Sequence, residues 1–138
     1  MLRQLTERFA VNSAIDFSAK AILRIRKMAD DSYDFQYAWV LFKSKDFARA
    51  REYVLAHANE GDSNAQCMMG FLCEHGFGAS RDVQEAERWL RKAAEQNNAV
   101  AWNNLGTLLL GKGETEKAKG CYRKAVELGF TMAAPLAQ

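Results

Sequence analysis

Displaced by 36 residues, the stretch Asp46–Ala65, "DFARAREYVLAHANEGDSNA", lies over Asp82–Ala101, "DVQEAERWLRKAAEQNNAVA". Ala50 meets Ala86, Tyr53 meets Trp89, Ala58 meets Ala94 and Ala65 meets Ala101; further on, Met69 and Gly70 meet Leu105 and Gly106. The displacement then falls to 32, pairing Ala86 with Ala118, Leu90 with Tyr122 and Ala93 with Ala125. A period of this length marks stacked supersecondary units, none of which can bury its apolar face alone. The four-residue slip falls between the two helices of a unit, where loop length is tolerated because closure entropy grows slowly with length.

Each unit reads as two amphipathic helices. Trp102, Leu105, Leu108 and Leu109 form one apolar stripe at helical spacing, and Ala118, Tyr122, Ala125 and Val126 form the next. Small residues pair across each unit: Ala38 with Ala50, Gly70 with Ala86, Gly106 with Ala118. Closely approaching helices need small side chains at the contact, which accounts for glycine inside a helix despite a cost of about 1 kcal/mol against alanine. Helix starts are expected at Asp46 and Asn98 as simple N-caps, and at Ser63-x-x-Gln66 and Asp82-x-x-Glu85 as capping boxes. Gly61 and Gly129 stand where a left-handed residue ends a helix.

The expected fold is therefore all-α: a right-handed α-α solenoid of about seven helices in a single domain, 1–138. Repeat units are read at 31–62, 63–98 and 99–130, with a helical cap at 1–30 and a truncated repeat start at 131–138. The stretch "AQCMMGFLCEHGFGASRDVQEAERWLRKAAEQNN" resembles a Sel1-like repeat, with its Gly76-x-Gly78 loop, Asp82 and the Ala86, Trp89, Leu90, Lys92, Ala93, Ala94 helix. "AWNNLGTLLLGKGETEKAKGCYRKAVELGF" resembles the related tetratricopeptide repeat at Trp102, Leu105, Gly106, Leu109, Ala118, Tyr122 and Ala125, with Phe130 where that family usually has proline. The first unit matches weakly. The resemblance implies a non-enzymatic adaptor; similar small proteins act as assembly adaptors, secretion-linked factors or toxin-neutralising partners.

Composition narrows the function classes. A charge of +2, from 19 basic and 17 acidic residues, gives no general reason to bind nucleic acid or an anionic membrane. The basic run Arg24, Arg26, Lys27 is followed at once by Asp30 and Asp31 and reads as a solvated helix end. No run approaches 18 apolar residues, and the N-terminus lacks a signal-peptide core. Three cysteines without disulfide spacing fit a reducing compartment. With the short lone-repeat chain, they point to a bacterial cytoplasm.

Neither histidine announces chemistry. His75, in "CEHGFG", lacks the partner spacing of a zinc site, and a Cys67–His75 nucleophile pair lacks an orienting residue. Cys73 falls on the core stripe, and the glycines of "HGFG" read as a tight loop rather than a phosphate cradle. No metal, cofactor or catalytic residue is expected; a small enzyme using a His/Cys pair is the remote alternative.

A surface is the better candidate. In tetratricopeptide-like stacking the first helix of each unit lines the concave side. That register places Phe35, Trp39 and Phe42 there from unit one, Cys67, Phe71, Glu74 and His75 from unit two, and Asn103, Thr107 and Leu110 from unit three, with Lys43 and Asn64 at the rim. Large aromatics open to solvent usually mark contact sites, and an amphipathic helix or extended apolar segment fits such a face. The expected function is protein–protein binding as a scaffold. Two questions stay open at this stage. The lead-in stripe of Ile15, Ala19, Ile22, Ile25 and Met28 or Ala29 could fill the groove or cap the end, and the terminal helices could support a homodimer.

Overall fold

One residue of positive φ marks each point where a second helix hands over to the next unit. Gly61 (φ 101), Asn97 (φ 61) and Gly129 (φ 97) hold corresponding places in successive units. Asparagine tolerates this left-handed conformation better than other residues with a Cβ, which explains the first asparagine of "QNN". The second, Asn98, is an N-cap: its Oδ1 accepts from the Ala101 N–H at 3.0 Å.

The computed structural model describes residues 33–138. They form six α-helices: α1 (Phe35–Lys43), α2 (Phe47–Asn59), α3 (Ser63–His75), α4 (Val83–Glu95), α5 (Ala99–Gly111) and α6 (Thr115–Glu127), followed by a 3₁₀ helix at Thr131–Leu136. No strand occurs among the described residues. The lead-in expected at 1–30, with its basic run, lies outside them. Helices pack in chain order, α1 with α2, α3 with α4 and α5 with α6, while α2 against α3 and α4 against α5 join the units. This is an all-α repeat solenoid.

Asp46 and Asp82 cap as expected, accepting from the N–H groups of Arg49 and Glu85. The capping box at Ser63 does not form. Asp62 is the N-cap, accepting from the Ala65 N–H at 2.9 Å. Gln66 turns inward instead. It is only 5% exposed, and its Nε2 donates to the Ala58 carbonyl at 3.2 Å while its Oε1 accepts from Gln96 Nε2 at 2.8 Å. A buried amide needs both ends satisfied, and the neighbouring unit provides this. Nor does Glu85 reach back to its cap; its carboxylate accepts from the Trp89 indole N–H at 3.3 Å.

The close approach within each helix pair rests on small residues. Ala38, Ala50, Ala86 and Ala118 are all fully buried. A Cβ on Gly70 would lie 2.6 Å from Leu90 Cγ and 3.3 Å from the Ala86 carbonyl oxygen. A Cβ on Gly106 would meet the Tyr122 ring at 2.8 Å, and Ala118 of the partner helix is fully buried. The vacancy at Gly106 therefore seats an aromatic side chain. At the C-terminal end, the 3₁₀ turn packs on α6, burying Ala133 and accepting from Arg123 Nε at the Ala137 carbonyl. Pro135 lies in the latter half of this turn.

Gly78 holds the long loop of the second unit against the first. Its φ is 75°, and a Cβ would stand 2.5 Å from the Phe47 carbonyl oxygen. Gly78→Ala should lower unfolding free energy by about 2 kcal/mol or more, combining backbone strain with steric overlap. Gly120, inside α6 with nothing within 4 Å of a Cβ, should gain about 0.5–1 kcal/mol as alanine. Chemical denaturation of the two variants beside the parent checks both signs.

Candidate functional site

The face built by α1, α3 and α5 carries a run of touching aromatic rings. Phe35 and Trp39, one helical turn apart on α1, are stacked with centroids 6.2 Å apart and planes 11° from parallel. Trp39 stacks on Phe42 at 5.3 Å and 14°. Phe42 is the hub, meeting Phe71 of α3 edge-on at 5.7 Å, Phe77 edge-on at 4.9 Å and Phe47 at 5.3 Å. Phe71 continues to His75 at 4.4 Å. Offset and edge-on contacts of this kind add roughly 0.5–1.5 kcal/mol each beyond area burial, so the inner rings anchor the outer ones. Phe35 and Trp39 remain 49% and 36% exposed, while Phe42 and Phe71 are half-buried. Lys43 Nζ stands 5.6 Å from the Trp39 ring centroid.

Phe47 and Phe77 belong to this cluster although the first-helix register does not contain them. Phe47 follows the Asp46 cap, and Phe77 sits between Gly76 and Gly78. The available signal was a large apolar residue flanked by two glycines in a loop that composition alone would leave polar.

The third unit's share of the face is different. Leu110 and Val100 are each 45% exposed. Asn103 is half-buried and donates to Asn104 Oδ1 at 3.4 Å. Thr107 is exposed, bonds back to the Asn103 carbonyl and lies 3.2 Å from the Tyr122 hydroxyl. The aromatic ladder thus stops at α3 and gives way to a shallower stretch of amide, hydroxyl and aliphatic groups. Glu74 is half-buried, and its carbonyl accepts from Arg81 Nε at 2.8 Å. Asn64 takes part in the seam between units, accepting from Asn98 at 3.0 Å.

Cys67, placed on this face by register, is only 7% exposed and receives the Asn104 amide at 3.5 Å. His75 does not join it as a base: its Nδ1 lies 3.0 Å from the Phe71 carbonyl. His57 sits 3.4 Å from the Glu60 carboxylate on its own helix and packs on Tyr53 at 4.7 Å. Beside it the Tyr33 phenol is pushed above its ordinary range, chiefly by burial. Among the described residues no group of three or more metal-ligating side chains comes together, and no helix is long and apolar enough to cross a membrane.

All three thiols are free, and burial pushes each upward, Cys67 to about 11. Since the thiolate is the reactive form, native Cys67 should alkylate roughly a hundredfold more slowly at pH 8 than an ordinary exposed thiol. Its thiol should behave normally after denaturation. Mass spectrometry after timed iodoacetamide treatment measures both rates; equal native and denatured rates would contradict the buried geometry.

Comparison with known proteins follows the same division of the chain. Residues 63–98 match the Sel1 repeat family and residues 99–129 match the tetratricopeptide repeat family. The chain is 34% identical over 92 residues to the chitin synthase regulator SKT5 of Saccharomyces cerevisiae, covering 59% of this chain and 13% of that protein. It is 31% identical over 85 residues to an exopolysaccharide production negative regulator of Rhizobium meliloti, covering 61% of this chain and 31% of that one. Among solved structures, a Sel1 repeat protein from Oxalobacter formigenes superposes with a TM-score of 0.65 at 30% identity, over 71% of this chain and 43% of that one. The chain therefore spans under a third of the length of either curated relative. Repeats of these two kinds generally mediate protein–protein interaction and are typically non-catalytic. Residues 63–129, helices α3–α6, thus carry one repeat that matches the Sel1 family and one that matches the tetratricopeptide family.

Proposed function

We propose that the chain is a non-catalytic scaffold that binds a protein partner on the face lined by α1 and α3, taking an amphipathic helix or extended apolar segment. One observation carries this reading: Phe35 and Trp39 are stacked, half or more than a third exposed, and fixed from behind by Phe42, Phe71 and Phe77. A pre-ordered aromatic ridge loses little side-chain entropy on contact, so most of the apolar gain from burying it goes into affinity. Leu110, Asn103 and Thr107 extend the surface with weaker, mixed contacts, and His75 closes its aromatic end. The two relatives described above are both regulators, which fits a part that works by holding another protein. The buried, free thiols suit the reducing cytoplasm expected from the sequence.

A homo-oligomeric module is the second reading, favoured by the exposure of Met132 (82%) and Leu136 (48%) on the C-terminal turn. Light scattering across a concentration series decides it, since a self-associating chain increases in mass with concentration.

The primary reading is tested by affinity capture from the source cell with wild type and with Phe35→Ala/Trp39→Ala. Anchor aromatics cost about 2 kcal/mol or more each on truncation, roughly thirtyfold in affinity. The expected result is a partner retained by wild type and lost by a double variant whose circular dichroism is unchanged. Equal recovery by both would refute the site.

A further inference from the structure

The apolar part of the candidate site runs along one helix rather than across the repeats. Aligned on Ala38, Gly70 and Gly106, the row through Phe35 continues to Cys67 and Asn103, and that through Trp39 to Phe71 and Thr107. The row through Phe42 continues to Glu74 and Leu110. Each row thus meets a polar group: the Asn103 amide, the exposed Thr107 hydroxyl, or the half-buried Glu74. Of the three columns, that of α1 alone is aromatic throughout. Phe35, Trp39 and Phe42 stand at i, i+4 and i+7, stacked with successive planes 11° and 14° from parallel. Seven residues of helix span about 10 Å, so the strip is as long as two turns of a second helix laid beside it.

The chemistry of this strip selects what can lie on it. Its three rings carry one hydrogen-bonding group between them, the Trp39 indole N–H. A segment buried against them must therefore satisfy its own backbone. An extended chain leaves those groups open, whereas an α-helix pairs them internally. The two ends of the strip also differ in charge. Lys43 Nζ lies 5.6 Å from the Trp39 ring centroid, in the last turn of α1, and Lys45 stands just beyond the helix. Arg49 nearby is paired with Asp46 at 3.0 Å, but among the described residues no carboxylate pairs with Lys43 or Lys45. At the opposite end the Asp34 carboxylate caps α1, accepting from the Gln36 N–H at 2.9 Å.

We infer that the α1 strip takes an amphipathic helix of a protein partner, lying along α1 and antiparallel to it. Its apolar side chains recur at i, i+4 and i+7, and a carboxylate in its first turn faces Lys43. Acidic residues are at home in a helix's first turn, and a first turn placed at Lys43 sets the antiparallel direction. This inference rests on the binding reading above and narrows it, from a helix or an extended segment crossing the repeats to a helix of stated polarity.

The test displays random peptides long enough for roughly four helical turns on phage, selected on the immobilised full chain. Phe35→Ala/Trp39→Ala serves as counter-selection. Enriched sequences should carry large apolar residues at i, i+4 and i+7 with Asp or Glu in the first turn. The consensus peptide should lose roughly fivefold in affinity on Lys43→Glu at low salt, and recover when its own acid is changed to lysine. A nitroxide at the peptide's N-terminal end should broaden the amides of Lys43 and Lys45 more than those of Phe35 and Gln36. Apolar residues at every second position, proline within the apolar run, no acid at the N-terminal end, or the opposite broadening pattern would overturn the inference while leaving the ridge as a site. Peptides that bind the double variant equally well would sink the binding reading itself, and this inference with it. A soluble gadolinium chelate that fails to broaden the Trp39 indole signal of the unliganded chain would also overturn it, a second copy being the occupant if the mass is that of a dimer and residues 1–32 if it is that of a monomer.

Discussion

Everything in this fold depends on how near two helix backbones can come. The alanines at 38, 50, 86 and 118 are sealed from solvent, and at Gly70 the Leu90 side chain occupies the space a Cβ would need. Dispersion gains depend on such contacts because a radial gap of even half an ångström forfeits much of the well. Thin helix pairs then stack at a short repeat distance, and the polar seam of Gln66, Gln96 and Asn98 fixes how one pair sits on the next. The core is accordingly made of small and medium side chains, with Met69, Leu72, Leu90, Leu105 and Leu109 among its largest fully buried members.

A core built this way buries a few rings, Tyr37, Trp89 and Tyr122, and the first unit carries more than it can take. Phe35, Trp39 and Phe42 emerge on the side shared with Phe71 of α3 because the positions that face α2 are filled by Tyr37, Ala38 and Leu41. They do not hang freely. The loop through Gly76 and Gly78 brings Phe77 beneath Phe42, and Phe47 enters from α2. The same close packing that stiffens the solenoid thus turns a surplus of aromatics into a rigid surface. That link joins the packing constraint to the proposed binding role.

Most of this architecture was legible because it is periodic. The 36- and 32-residue displacements identified the helix pairs, and the alanine and glycine positions identified where they touch. What periodicity could not reveal was the identity of individual neighbours. At Gly106 the Tyr122 ring fills the space a Cβ would need. Ser63 lost the cap to Asp62 because Gln66 does better satisfied in the core than bonded at a solvent-exposed helix start. Cys67, read as an inner-face residue by register, is covered by Asn104 of the next unit. Phe47 and Phe77 were missed for a different reason: they stand outside the first-helix register, and only the loop conformation carries them to the ridge.

The aromatic ridge is the proposed seat of the partner. The chain has three tryptophans, and each indole N–H gives a separate signal in a proton–nitrogen correlation spectrum of the labelled full chain. Trp39 lies on the ridge, whereas Trp89 is buried and bonded to Glu85. Titration with the protein recovered by wild-type capture should shift or broaden the Trp39 indole saturably and leave that of Trp89 in place. Saturable binding with an unmoved Trp39 signal would contradict the account.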